Sequence, residues 1–159
     1  MPNESASQRP LFILHVEDNP ADAELIEKIL IAGGVPVEIT RVDTREAFLD
    51  GLERRPLDCI LCDYTLPEFH GLMALELARE RRPEVPFIFV SGVLGDDLAA
   101  DTLQRGAADY LLKDRLARLV PAVQRALKEA KIKSLVSEHP PTGQGDNPND
   151  GVAGQGKES

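Results

Sequence analysis

The chain alternates short apolar runs with amphipathic stretches. Residues 11–16, LFILHV, are an apolar run of strand length. Asn19-Pro20 then marks a helix start. Asparagine suits the N-cap, proline suits the first helical position, and Asp22 and Glu24 fall in the first turn. Leu25, Ile26, Ile29 and Leu30 form a helical stripe that Gly33-Gly34 ends. Residues 35–42, VPVEITRV, alternate with period two, and Pro36 favours a sheet edge. Thr44 can cap a short helix carrying Ala47, Phe48 and Leu52. Residues 57–62 read as a third strand and 72–82 as a third helix ended by Pro83. Residues 85–90, VPFIFV, read as a fourth strand, 96–104 as a short helix ended by Gly106, and 109–112 as a fifth strand. A last amphipathic helix runs to about residue 134, with Leu116, Leu119, Val120, Val123 and Leu127 on one face. Pro121 falls early in it, at a kink or in its first turn.

Five apolar strands alternating with five helices predict an α/β fold, a doubly wound five-stranded parallel sheet covered on both faces. In such sheets ligands bind beyond the carboxyl ends of the strands, near the topological switch point. Those ends carry Glu17-Asp18 after the first strand, Asp63 after the third, Ser91-Gly92 after the fourth and Lys113 after the fifth.

Composition narrows the reading. The 159 residues suffice for one domain with a full core. The net charge of −9 argues against nucleic acid as the main partner, because phosphate binding needs clustered Lys and Arg. No apolar run approaches the roughly 20 residues of a membrane span, and the polar start lacks the apolar region of a secretory signal. A cytoplasmic protein is expected, with Cys59 and Cys62 as free thiols. Residues 1–9 read as a flexible start, 10–134 as the folded domain, and 135–159 as a disordered tail too poor in apolar residues to offset ordering entropy.

If the first and third strands are neighbours, three carboxylates converge. Ionised carboxylates at such range repel one another or bind a cation. A hard divalent ion with oxygen ligands fits, Mg2+ (or Mn2+) best. That chemistry suits a phosphoryl acceptor, with Asp63 as nucleophile and Asp18 and Glu17 on the metal, joined by the Thr65 carbonyl. Lys113 and the Ser91 hydroxyl would meet the phosphoryl oxygens.

The set resembles the receiver domain of bacterial two-component response regulators. The resemblance rests on Glu17-Asp18, on Asp63 followed by Pro67 and Gly71, on Ser91-Gly92, and on Asp109-Tyr110-Leu111-Leu112-Lys113. It covers about residues 10–134 and leaves no room for a second folded domain in this chain. The resemblance implies a flavodoxin-like strand order of 2-1-3-4-5. It also implies a phosphohistidine donor, either a sensor histidine kinase or a histidine phosphotransfer protein. Ser91 and Tyr110 would be switch residues, and Pro67 and Gly71 would shape the loop after Asp63. A downstream protein would dock on the face of helix 4, strand 5 and helix 5, and a homodimer is left open. Such a protein is not an enzyme beyond its own phosphotransfer and slow self-dephosphorylation. Slow loss is expected because Thr65 and Val93, the positions flanking an attacking water, are neither acidic nor amide-bearing.

One departure stands out. The family lysine is commonly followed by proline, and here Asp114 follows Lys113. A trans bond is expected, since cis costs a non-proline residue about 3 kcal/mol. Asp114 could instead cap the last helix.

Other features have plainer readings. Cys59 and Cys62 form a CxxC, but on a strand residues three apart face opposite sides and no second pair completes a zinc site. They are expected to be core residues. His15 is read as structural, His70 as exposed, Asp96-Asp97 as a helix start, and Arg79, Arg81 and Arg82 as a solvated helix end. Two other functions compete with the stand-alone phosphoacceptor: an aspartyl-phosphate phosphatase, and a receiver used only for docking, independent of phosphorylation. The phosphatase would need an acid two residues past Asp63, where Thr65 stands. A flavodoxin-like cofactor site would need a hydroxyl- and glycine-rich loop, where Glu17-Asp18-Asn19-Pro20 stands.

Overall fold

The computed structural model describes residues 9–67, 70–92 and 95–138. Strands β1 (Leu11–Val16), β2 (Val37–Val42), β3 (Cys59–Cys62), β4 (Phe87–Ser91) and β5 (Asp109–Leu112) form one parallel sheet in the order β2-β1-β3-β4-β5. Between them lie helices α1 (Pro20–Ala32), α2 (Arg45–Leu52), α3 (Gly71–Arg81) and α4 (Asp96–Gln104). A 3-10 turn, Leu116–Arg118, leads into α5 (Leu119–Glu138). The chain divides into residues up to Leu127, which hold the sheet and its packed core, and a unit beginning at Lys128. The described part of that second unit is helical, with Ile132, Leu135 and Val136 exposed.

Side chains alternate across each strand, so the sheet carries two cores. On one face Leu14, Val16, Ile60, Cys62, Phe87 and Phe89 pack with Phe48 and Leu52 of α2 and Ala74, Leu75 and Ala78 of α3. On the other, Ile13, Cys59, Leu61, Ile88 and Val90 pack with Ile26 and Leu30 of α1 and with Leu119, Ala122, Val123 and Ala126 of α5. Cys59 and Cys62 thus enter opposite cores as free, buried thiols. Burial pushes the Cys59 thiol up to about 12 and Cys62 well above its ordinary value, so neither is a thiolate near neutrality.

Local signals act as the residue types predict. The Asn19 side chain accepts from the N–H groups of Ala21 and Asp22, with Pro20 opening α1. The Thr44 hydroxyl accepts from Ala47 N. Gly34, at φ 85°, follows the end of α1 in a conformation that favours glycine. Pro121 falls in the first turn of α5, where its missing N–H costs nothing.

Several expectations need correction. β2 starts at Val37, two residues late, because Pro36 lends only its carbonyl, to Leu11 N at 2.9 Å. β3 starts at Cys59, two residues late, and the Asp58 side chain turns back to Phe12 N at 2.9 Å. β4 runs Phe87–Ser91 rather than 85–90. Leu25 is exposed; the buried stripe of α1 is Ala23, Ile26 and Leu30. Asp114 caps nothing: Arg115 precedes the 3-10 turn without a side-chain cap, and Asp114 is exposed. The Lys113–Asp114 bond is trans as expected. The last helix continues past residue 134 to Glu138.

Arg82 is the largest miss. It is buried, not solvated, with Nη1 donating to the carbonyls of Leu52 at 2.6 Å and Arg54 at 3.0 Å, and Nε meeting Glu84 at 2.8 Å. It stands at the C-cap of α3 with φ −137° and ψ 62°, off the helical path of Arg79 and Arg81. It thereby supplies donors at the end of α2, where helical carbonyls lack intrahelical partners. Residues 1–8, Val93 and residues 139–159 lie outside the described residues, so the readings made for them rest on sequence alone.

Candidate functional site

The strand order builds the site. Pairing of β1 with β3 sets Val16 opposite Cys62, so both chains leave the sheet side by side as Glu17-Asp18 and Asp63. Asp63 N donates to Val16 O and Glu17 N to Val42 O, each at 2.9 Å, which holds both exits in register. One ligand atom each from Glu17, Asp18 and Asp63 lie within 4.8 Å of one another. Glu17 and Asp63 are buried and Asp18 is exposed, so the cluster opens to water on one side.

Lys113 enters from the end of β5, its backbone N donating to Ser91 O at 2.8 Å. Its Nζ stands 3.1 Å from Asp63 Oδ2, 3.0 Å from Glu17 Oε1 and 2.8 Å from Asp22 Oδ2. Burial alone would lower the lysine's pKa, but its contacts with the Asp22, Glu17 and Asp63 carboxylates outweigh it and hold the ammonium charged. Burial works the other way on Glu17. It holds that carboxyl above its usual range, although Lys113 and Asn19 N pull it back. Glu17 Oε1 is fully buried, and its contact with Lys113 has ion-pair distance without hydrogen-bond direction. An oxygen left so poorly satisfied, among carboxylates that outnumber the ammonium groups, fits a divalent cation. Asp18 and Asp63 complete a donor set of hard oxygens.

The remaining predicted residues lie in β4, in β5 and in the loop after Asp63. Ser91 ends β4, fully buried. Tyr110 lies inside β5, buried, and hydrogen-bonds with the Ser91 side chain. Burial raises the Tyr110 phenol, only partly offset by that bond. Its ring packs at 5.9 Å from Phe89 and 6.4 Å from Tyr64. The exposed Thr65 donates its N–H to Asp63 Oδ1 at 3.3 Å. Pro67 is exposed in the loop that follows. Gly71 closes that loop, donating to Tyr64 O at 3.2 Å. A Cβ there would lie 2.9 Å from Asp63 O, Tyr64 O and Phe89 Cε1, so only glycine fits.

Three participants escaped the sequence reading. Asp22, counted only as a first-turn acid, makes the shortest contact to Lys113. His15, read only as structural, lies fully buried beneath the site, 4.0 Å from Glu17 Oε1. Burial, with the charges of Lys113 and Arg41, pulls its pKa down to about 3, so the ring is neutral. Neither ring nitrogen has a hydrogen-bond partner among the described residues. His70 is exposed as expected, but it also caps α3, Nδ1 accepting from Leu72 N at 3.0 Å, and meets Tyr64 edge-on at 4.8 Å. Only Asp22 could have been suspected from the sequence, since its position after the Asn19 cap puts it in the turn that faces the strand ends.

Residues 13–124 match the response regulator receiver domain family, and the chain belongs to it. Receiver domains are the phosphoacceptor modules of two-component signalling, and the family generally binds Mg2+ through acidic residues. The chain is 35% identical to the response regulator protein FleR of Pseudomonas aeruginosa over 106 residues, 67% of this chain and 22% of FleR. It is 33% identical to the regulatory protein LuxO of Vibrio vulnificus over 121 residues, 75% of this chain and 26% of LuxO. The chain thus spans about a quarter of the length of these relatives. Among solved structures, a CheY-like receiver domain protein from Methanospirillum hungatei has 28% identity and a TM-score of 0.67, covering 79% of this chain and 99% of that one. A signal receiver domain from Vibrio parahaemolyticus has 30% identity and a TM-score of 0.71, covering 82% and 100%.

Proposed function

We propose that this chain is a response-regulator receiver that takes a phosphoryl group onto Asp63 in a Mg2+-dependent reaction. The observation that carries this reading is the position of the Asp63 carboxylate, within 4.8 Å of the Glu17 and Asp18 oxygens and 3.1 Å from the Lys113 ammonium. Asp18, Glu17, Asp63 and the Thr65 carbonyl would hold Mg2+ or Mn2+. The bound cation would neutralise charge on the phosphoryl oxygens.

The step balances without a proton on Asp63. A carboxylate oxygen of Asp63 attacks phosphorus in line, a new O–P bond forms, and the bond from phosphorus to the donor breaks. The donor leaves with the electron pair, as a histidine imidazole or, from acetyl phosphate, as acetate. Lys113 and the Ser91 hydroxyl meet the phosphoryl oxygens. Drawing Ser91 toward the phosphoryl group disturbs its hydrogen bond with Tyr110, and the buried phenol is the element whose rotamer answers. Gly71 and Pro67 shape the loop leaving Asp63. The donor would be a sensor histidine kinase or a histidine phosphotransfer protein. The output would be phosphorylation-dependent docking through α4, β5 and α5, or relay of the phosphoryl group. Self-dephosphorylation would be slow.

The test is intact mass after incubation with acetyl phosphate, with and without Mg2+. The expected result is a Mg2+-dependent gain of one phosphoryl group that Asp63→Asn abolishes. No gain under any condition would favour a receiver that acts only by docking, and a gain that survives Asp63→Asn would place the acceptor elsewhere.

A further inference from the structure

We infer that Asp22 is a positioning residue for the phosphoryl-binding lysine: it anchors the Lys113 ammonium while the other partners of that ammonium are taken up by the reaction. The inference rests on the proposed role of Asp63 and extends it to a residue that neither the motif nor the acidic pair contains.

A lysine ammonium has three N–H groups and no acceptor. Lys113 Nζ faces three carboxylates, at 2.8 Å from Asp22, 3.0 Å from Glu17 and 3.1 Å from Asp63. Two of these belong to the cluster whose oxygens would go to a cation, and one of the two is also the acceptor. Once Asp63 carries the phosphoryl group as an acyl phosphate, its carboxylate charge is gone and the N–H that pointed at it turns to a phosphoryl oxygen. The Glu17 contact lacks hydrogen-bond direction even before that. Asp22 stands apart from the three-carboxylate cluster and makes a directed hydrogen bond to Nζ. It is the contact that has no reason to break. Ion pairs between exposed side chains contribute little, because solvent screens them and both chains must be ordered. This pair is different: Asp22 is held by the first turn of a helix capped by Asn19, and the Lys113 side chain is only 21% exposed. A lysine fixed at one N–H keeps the other two aimed, which lowers the ordering cost of binding the phosphoryl group.

The consequence is energetic coupling between positions 22 and 113, read by a double-mutant cycle of Asp22→Asn, Lys113→Met and the double variant. The first measurement needs neither metal nor phosphodonor. In metal-free buffer, Asp22→Asn lowers the thermal midpoint when Lys113 is present. In the Lys113→Met background the same change lowers it less or raises it, because there only the helix-start interaction of Asp22 remains, set against repulsion from Glu17 and Asp63. The second measurement is the rate of phosphoryl gain from acetyl phosphate at saturating Mg2+. Asp22→Asn slows uptake about fivefold when Lys113 is present, and less than about twofold in the Lys113→Met background. A role confined to stabilising the helix start would slow both backgrounds equally, and that result overturns the inference. So does an unchanged or faster rate in Asp22→Asn, or an identical midpoint shift in both backgrounds. If the unsubstituted protein gains no phosphoryl group, the reading of Asp63 falls and this one falls with it. If it does gain one and the cycle shows no coupling, only the role of Asp22 is lost.

Discussion

β3 has an aspartate at each end, Asp58 before Cys59 and Asp63 after Cys62, and the fold treats them oppositely. Asp58 is matched one to one. Both its oxygens meet the Arg9 guanidinium at 2.9 Å, and Oδ2 also accepts from Phe12 N at 2.9 Å. Burial alone would raise its pKa, but the Arg9 and Phe12 hydrogen bonds outweigh that and hold the carboxyl below its usual range. Asp63 shares its one ammonium with Glu17 and Asp22, and its backbone donor, Thr65 N, is a long 3.3 Å away. On the proposed reading of Asp63, the difference separates a structural carboxylate from a reactive one. A charge with its own partner and a backbone N–H is structural. A charge that must share its partner keeps unmet demand, which a cation and an electrophilic phosphorus can satisfy.

The largest break of this contrast is Asp63→Asn. Phosphoryl gain by intact mass is expected to fall from one group to none. The thermal midpoint should hold or rise, because one member of a repelling cluster is neutralised; a clear drop would mean that Asp63 is structural after all. Next is Gly71→Ala, whose added methyl meets two backbone carbonyls and the Phe89 ring at 2.9 Å. Overpacking of this kind is expected to cost about 3 kcal/mol in urea unfolding, and an unchanged midpoint would show the loop after Asp63 to be yielding. At the other end of β3, Asp58→Ala strips Phe12 N of its side-chain acceptor and should cost about 1–2 kcal/mol with phosphoryl gain unaltered. Loss of phosphoryl gain there would erase the distinction between the two ends.

The smallest effect is one of pH, measured as the stability difference between wild type and each variant without divalent ions. The folded pKa of Asp58 is depressed below 3.8, so its contribution is present above that value and is lost as the pH falls through the folded pKa. Asp58→Asn should flatten this acid loss. The folded pKa of Glu17 is raised above 4.5, so just above that pH the folded state binds more protons than the unfolded one. Its contribution therefore falls as the pH rises through that window, and Glu17→Gln should remove the slope. Slopes of the same sign at the two residues would contradict the comparison.

Elements with local causes were legible in the chain. Asn19 and Thr44 cap helices because their side chains reach N–H groups two or three residues on, and that needs no tertiary context. The apolar runs of the strands and the stops between them were likewise local, and β1, α4 and β5 fall at the residues predicted for them. Arg82 was not legible, because its partners are carbonyls 28 and 30 residues away at the end of another helix. Leu25 misled for a related reason: the stripe of α1 was read one residue too wide, and only the seat of the helix on the sheet decides which edge of a stripe is covered.

The site divides along the same line. The residue types at the strand ends, Glu17-Asp18, Asp63, Ser91 and Lys113, were readable because each follows an apolar run that places it at the end of a strand. Their convergence was not. It depends on β1 and β3 being neighbours in register, with Val16 beside Cys62, and on β5 carrying Lys113 back to Asp22, 91 residues earlier in the chain. Local physics decides what a residue can do, since capping, periodicity and charge act within a few positions. Which carboxylate keeps a partner to itself and which must share one is decided only by packing, because strands distant in sequence meet only when the sheet forms.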